Sequence, residues 1–349
     1  MSASAVTERV VREAMEVALA LSAGVRGNTS PNPPVGAVIL DAEGRRVGTG
    51  ATQPPPGPHA EVVALREAGE RARGGTAVVT LEPCSHHGRT PPCTQALLDA
   101  GVAAVRYAVA DPHPAASGGA ERLRAAGVDV AGGVLAEEVA SGPLRAWLHR
   151  ERTGRPHVTW KYAASLDGRV AAADGTSRWI SGPTSRAEVH ALRAAVDAIV
   201  VGTGTVLTDD PWLTVRTPDG ELAPRQPLRV VVGTRGIPEG ARVLDSTAET
   251  VRIASHDPDE VLALLSERGV VDVLLEGGPT LAGAFVAAGR VDRIIAYVAP
   301  TLLGAGPAAL GPAGVSTITQ AHHWRVEGAT MCGEDVRISA VPVTGEGGD

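Results

Sequence analysis

The feature that most constrains this chain is His59-Ala60-Glu61, followed by Pro83-Cys84 and then by Cys93. One imidazole and two thiolates suit zinc, and three ligands leave its fourth tetrahedral position to water. Zinc lowers the pKa of such a water toward neutrality. Glu61 stands two residues past His59, on the first turn of a helix predicted over 59–72. From there a carboxylate can take the water's proton and pass it on. The stretch TAVVTL at 76–81 reads as a buried strand and 94–100 as a helix, so both cysteines flank a strand-to-helix passage. His59, Cys84 and Cys93 are therefore the candidate ligands of one Zn2+ ion, and Glu61 is the candidate catalytic base.

With 349 residues, the chain is long enough for two domains. Apolar residues make up 44% and charged residues 20%, which excludes wholesale disorder. The three cysteines are too few for a disulfide framework and imply a reducing, cytoplasmic setting. The net charge is −7; residues 1–150 hold 14 basic against 15 acidic side chains, and the remainder 18 against 24. Neither half has the basic excess that nucleic-acid binding needs. No run of 18 apolar residues is present, so no membrane span is expected. The first 22 residues carry charges inside their apolar pattern and read as an amphipathic helix rather than a signal peptide, with Thr7 or Ser4 as its cap.

Strand and helix patterns alternate in both halves, which predicts α/β layers. Residues 35–41 and 46–51 read as a hairpin, 135–150 as one closing helix, and 151–155 as a linker where charge, Gly and Pro cluster. The second half, 156–343, opens on a strand ending in Lys161, the only lysine among 32 basic residues. In so Arg-rich a chain, a retained lysine suggests a task needing a compact donor with a movable pKa. Helices are expected over 185–195, 260–269 and 280–288, between strands built on AIVVG, LRVVVG, VDVLL and RIIAYV, and the tail 344–349 is expected to be disordered.

The pattern H-x-E…P-C-x-x-C belongs to zinc nucleobase deaminases, although here the second spacer is eight residues, SHHGRTPP. Asn32, just before the first strand, can donate to and accept from a pyrimidine or its sugar. The inserted loop concentrates donors, and His86 and Arg89 in it suit a substrate phosphate or ribose; His86 and His87 could alternatively be further metal ligands. The run from Pro58 to Val102, with TLEPCSHHGRTPPC at its centre, resembles the bifunctional riboflavin-biosynthesis deaminase–reductase family. The resemblance implies a cytidine-deaminase-like three-layer domain over 1–150. It also implies hydrolytic removal of the 2-amino group of 2,5-diamino-6-ribosylamino-4(3H)-pyrimidinone 5′-phosphate. The family's Asp-Pro-Asn-Pro is here Asp111-Pro112-His113-Pro114, and its Gly-x-Gly is Ser117-Gly118-Gly119. Cys332 reads as an inert, small apolar residue.

In the second half, VDVLLEGGPT passes from strand through glycines to a helix start whose amides suit an anion. It lacks G-x-G-x-x-G, so a Rossmann motif is not supported. Lys161 through Arg169, Gly202 through Arg216 and Glu276 through Ala284 together resemble the reductase half of the same family. That resemblance implies a dihydrofolate-reductase-like α/β domain using NADPH to reduce the ribosyl group to ribityl. It places Ala163, Trp179, Thr205, Asp209 and the turn Gly278, Pro279, Thr280, Leu281, Ala282, Gly283, Ala284 on NADPH. It places Ser177, Arg193, Leu213, Arg216 and Glu276 on substrate, with both arginines suited to a 5′-phosphate. Lys161 and Asp209 are the candidates for moving the proton of ring opening. A homo-oligomer acting on a phosphoribosyl pyrimidine is expected. Two rivals are a nucleoside or tRNA deaminase fused to an unrelated domain and an inactive ligand-binding regulator; the TPPC insertion speaks against the first and an intact Glu61 against the second.

Overall fold

A computed structural model describes residues 6–85, 92–113 and 117–343. The expected tail 344–349 and the loop positions His86 and Arg89 lie outside the described residues. The chain divides into two compact units, Met1–Arg155 and Pro156–Asp349.

The first unit begins with α1 (Glu8–Gly24), whose N-terminal amides gain Thr7 as a side-chain cap. Then come β1 (Gly36–Leu40), β2 (Arg46–Ala51), α2 (Ala60–Ala68), β3 (Thr76–Leu81), α3 (Cys93–Ala100), β4 (Ala104–Val109), α4 (Gly119–Ala125) and β5 (Asp129–Gly132). They build one sheet in the order β2-β1-β3-β4-β5, with a β1–β2 hairpin and parallel β3, β4 and β5. β1 and β3 are buried on both faces, hence their unbroken apolar runs. Where α2 crosses β2, the strand has glycine at 48 and 50. A Cβ on Gly50 would lie 2.2 Å from the Ala60 carbonyl oxygen, and one on Gly48 2.2 Å from that of Ala64. Backbone-to-backbone packing is therefore what holds the His59–Glu61 turn against the sheet.

The closing helix expected over 135–150 is two helices, α5 (Ala136–Ser141) and α6 (Arg145–Thr153). Gly142-Pro143 separates them, since proline lacks the N–H a continuous helix would use. α6 continues to Thr153, so most of the expected linker 151–155 is helical.

The second unit holds β6 (His157–Ser165), α7 (Pro183–Ala194), β7 (Ala198–Gly202), α8 (Thr203–Asp209), β8 (Leu228–Val232), β9 (Thr250–Ile253), α9 (Pro258–Glu267), β10 (Asp272–Leu275), α10 (Pro279–Ala287), β11 (Arg293–Ala299), β12 (Trp324–Cys332) and β13 (Asp335–Pro342). Its sheet runs β12-β13-β11-β6-β10-β7-β8-β9. The six strands from β11 to β9 are mutually parallel, and β13 and β12 are antiparallel additions at one edge. α8 and β9 escape the sequence reading: seven residues, TGTVLTD, lack a clear helical period, and TVRI is an edge strand of four. No described helix is long and apolar enough to cross a membrane.

Candidate active sites

In the first unit, α2 starts immediately after His59, and Cys93 is the first residue of α3. Cys84 follows β3. The three ligand atoms converge: His59 Nδ1 is 3.2 Å from Cys93 Sγ and 3.7 Å from Cys84 Sγ, and all lie within 4.8 Å of one another. Around a tetrahedral zinc with Zn–S near 2.3 Å and Zn–N near 2.0 Å, sulfur and nitrogen would stand about 3.5 Å apart. The donor set and its spacing fit the ion.

The Cys93 thiol's hydrogen bond, together with His59, holds the Cys84 thiol down at about 4. The same pairing and burial push Cys93 up. A bound dication favours the thiolate at both sulfurs. Glu61 is buried at 4% exposure, and burial raises its carboxyl, with the Cys84 thiolate adding to the effect. A carboxyl so placed is suited to hold a proton between two transfers.

Glu82 supports this centre. Its carboxylate accepts from the Asp111 amide at 3.2 Å and the Ala120 amide at 2.8 Å, joining the end of β3 to the loop after β4 and to α4. Asp111 is buried and accepts from the His113 amide at 2.9 Å. Gly119 is required by contact, since a Cβ there would lie 1.8 Å from the Pro83 carbonyl oxygen beside Cys84. The altered Ser117-Gly118-Gly119 thus keeps the glycine that the metal turn needs. Asn32 is half-buried in the loop before β1, its backbone tied both ways to Thr29.

The second unit opens a cleft of about 1210 Å³ at the carboxyl ends of its parallel strands. Ligand sites of open α/β sheets lie there. Lys161, Ala163, Ser177, Trp179, Arg193, Thr205, Asp209, Leu213, Arg216 and Glu276 all line it, as do Gly278, Pro279, Thr280, Leu281 and Ala284. Ala282 and Gly283, expected on the cofactor, do not. Ala282 is fully buried in the core, and a Cβ on Gly283 would lie 2.4 Å from the Pro312 carbonyl oxygen. The helical turn carries those two residues to the inner face. α10 has Gly278 as its N-cap and no side-chain cap, so its first turn, which lines the cleft, gains no hydrogen bond from a capping side chain.

At the floor, Arg193 grips Glu276 with two bonds, Nε to Oε1 at 2.7 Å and Nη2 to Oε2 at 2.9 Å. Arg193 Nη1 also donates to the Thr214 carbonyl. Three of its five donors are thus committed, so Arg193 is not the free phosphate fork the sequence suggested. Lys161 Nζ lies 4.0 Å from Glu276 Oε2. Burial lowers the Lys161 pKa against the pull of Glu276. Its ion-pair partner is Glu276; Asp209 ends α8 on the cleft wall, where its carbonyl accepts from Arg178. Burial opposes ionisation of Glu276, but Arg193 and Lys161 outweigh it and hold the carboxyl at about 2.

Several cleft residues carry no sequence motif. His190 accepts from the Arg216 amide at 3.3 Å, and burial and nearby Arg193 lower its pKa. Arg235 is exposed and has no hydrogen-bond or ion-pair partner among the described residues; it lies over Gly204, where a Cβ would come within 2.9 Å of its Nη2. Arg242 stacks on Trp212 at 4.1 Å, and His256 meets Thr234 at 3.2 Å. Cys332, by contrast, lies outside the cleft and donates to Glu188 at 3.1 Å, a thiol that burial keeps protonated.

Comparison with known proteins agrees with this division. The cytidine and deoxycytidylate deaminase zinc-binding region matches residues 9–109, and the RibD C-terminal domain matches 156–338. The riboflavin biosynthesis protein RibD of Mycobacterium tuberculosis is 60% identical over 331 residues, covering 95% of this chain and 97% of that protein. The chain belongs to the RibD family. The Escherichia coli RibD is 41% identical, covering 94% of this chain and 98% of its own. Among solved structures, Acinetobacter baumannii RibD superposes with a TM-score of 0.85 at 36% identity, covering 96% of this chain and 99% of that one. The Thermotoga maritima diaminohydroxyphosphoribosylaminopyrimidine deaminase/5-amino-6-(5-phosphoribosylamino)uracil reductase gives 0.87 at 32% identity, with the same two coverages. The chain therefore has both catalytic domains of RibD, a zinc-dependent deaminase followed by an NADPH-dependent reductase.

The Glu276 carboxyl sits well below its ordinary value of 4.5, so its pairing stabilises the fold fully above about pH 4.5 and progressively less as pH falls toward about 2. Glu276→Gln should lower the melting temperature at neutral pH and flatten its decline across that acid window. Thermal melts from pH 2 to 7 on both proteins check this, and parallel acid declines would contradict it.

Proposed function

We propose that this chain catalyses two successive steps of riboflavin biosynthesis. The first unit replaces the 2-amino group of 2,5-diamino-6-ribosylamino-4(3H)-pyrimidinone 5′-phosphate by oxygen, releasing ammonia. The second reduces the ribosyl group of that product, giving 5-amino-6-ribitylaminouracil 5′-phosphate. The observation that carries the reading is the convergence of His59, Cys84 and Cys93 beside buried Glu61, on one chain with the cleft around Lys161 and Glu276. The printed activities of the Thermotoga maritima relative support it.

In the deaminase, His59, Cys84 and Cys93 hold the metal. Zinc, when bound, supplies a water of lowered pKa. Glu61 would take that water's proton at a carboxylate oxygen and pass it to the ring nitrogen, then take the proton of the newly formed hydroxyl and pass it to the departing amine. Asn32 holds the pyrimidine or its sugar, and His86 and Arg89 the ribose or phosphate.

In the reductase, NADPH, when bound, supplies the hydride that reaches C1′ of the ring-opened imine. Lys161 delivers the proton that ring opening requires, with Asp209 assisting, and Glu276 keeps Lys161 placed. Ser177, Leu213 and Arg216 contact the ribosyl phosphate, joined by the two uncommitted N–H groups of Arg193. Ala163, Trp179, Thr205 and the α10 turn hold the cofactor, whose pyrophosphate suits the uncapped helix start. Arg235, without a hydrogen-bond or ion-pair partner among the described residues and lining the cleft with His256, suits the cofactor's 2′-phosphate. We read the enzyme as a cytoplasmic homo-oligomer acting on small molecules; free Cys84 and Cys93 suit the first, family resemblance supports the second, and the acidic net charge speaks against nucleic acid.

Glu61→Gln should reduce ammonia release at least about a hundredfold, while NADPH oxidation on the deaminated substrate stays at the wild-type rate. Retained ammonia release would contradict the deaminase assignment. Arg235→Ala should weaken NADPH binding about tenfold, a fair loss for one charge-assisted contact, and leave NADH binding unchanged; fluorescence titration reads both. Equal effects on the two nucleotides would contradict the 2′-phosphate role.

A further inference from the structure

The cleft wall at 212–216 carries Leu213 and Arg216 toward the substrate, yet it is not part of a sheet. Its one ladder contact is an isolated bridge between Arg216 and Leu222. Leu213 lies in the left-handed region at φ 52°, which a branched side chain resists. Something outside the segment must hold this shape.

Side chains do so. Val215 gives its amide to Gln226 Oε1 at 2.7 Å, and its carbonyl accepts from Gln226 Nε2 at 2.9 Å; the same amide nitrogen reaches the Ala223 carbonyl. The Val215 carbonyl also accepts from the Ala223 amide at 3.1 Å, so Gln226 adds a side-chain clamp to this single backbone contact and alone meets the Val215 amide. One step back along the wall, the Trp212 carbonyl accepts from Arg229 Nη1 at 3.2 Å. Arg229 is fully buried on β8, with its charge met by Asp245 Oδ1 at 2.8 Å and its other nitrogen on the carbonyls of Asp245 and Ala248. Neither Gln226 nor Arg229 lines the cleft.

We propose that Gln226 and Arg229 are positioning residues for the reductase: through the backbone of 212–216 they set where Leu213 and Arg216 meet the ribosyl phosphate. The inference rests on the reductase reading above. A half-buried side-chain amide that bonds both polar groups of one residue also fixes that residue's register, so losing it loosens the wall without removing any group that touches ligand. The effect then falls on substrate binding, because uniform binding energy appears in KM rather than in kcat.

The test is steady-state kinetics of the full-length zinc-loaded enzyme, with deaminated ribosylaminouracil phosphate as the varied substrate. Gln226→Leu should raise KM for it about tenfold, with kcat within about twofold, and with NADPH affinity and ammonia release unchanged. Arg229→Lys, which keeps the charge but cannot span all its acceptors, should raise KM in the same direction and serves if Gln226→Leu does not fold. A folded variant whose KM is unchanged, or whose kcat alone falls, overturns the proposal. A wild-type enzyme with no turnover on this substrate would instead overturn the reductase reading on which it rests.

Discussion

Parallel strand pairing is the constraint on which the reductase cleft depends. Neighbouring parallel strands must be joined by crossovers, and the space beyond their carboxyl ends is where the connecting turns leave room for a ligand. Thr205 follows β7, Arg235 follows β8, His256 follows β9 and Glu276 follows β10. The deaminase unit applies the same rule in its parallel part, where Cys84 follows β3 and Cys93 begins the next helix. In both units the candidate site residues are thus carried on turns and helix starts backed by buried strands, which gives them a rigid support.

The deaminase centre was legible in the sequence because its chemistry restricts residue type. Few arrangements other than a metal site need His, Glu, Cys and Cys in that order across a strand and two helix starts. Their convergence in space adds distances to an identification already specific. The reductase cleft was legible mainly through resemblance, since small residues and lone polar side chains at strand ends are common in any α/β domain. Within its motifs, Ala282 and Gly283 turned out to face the core, because a helix must send part of any contiguous run inward. Arg193 keeps its place in the cleft but gives most of its donors to Glu276 and Thr214, which only tertiary contacts could disclose.

Elements missed by the sequence reading share a physical cause. α8 and β9 are too short to display a period, and the break between α5 and α6 depends on two residues, Gly142 and Pro143, inside an otherwise helical pattern. Gln226 and Arg229 are invisible to motif reading for another reason: they act on backbone atoms of a distant segment, and any sequence can provide those. A buried arginine is costly unless its charge is paired, and Arg229 meets that demand at Nη1 and Nη2 with carbonyls from two loops and one carboxylate, while its buried Nε has no hydrogen-bond partner among the described residues. The network therefore ties a core arginine to the backbone of the cleft wall at Trp212.

The central claim is that two independent sites on one chain perform consecutive reactions, the first alone depending on the three-ligand metal centre. The most direct measurement strips the metal with a chelator and assays both half-reactions on the same sample. The account predicts that ammonia release is lost and returns with added zinc, while NADPH oxidation on the deaminated substrate continues throughout. Loss of both activities together, or of neither, in protein shown to be metal-free and folded would contradict it.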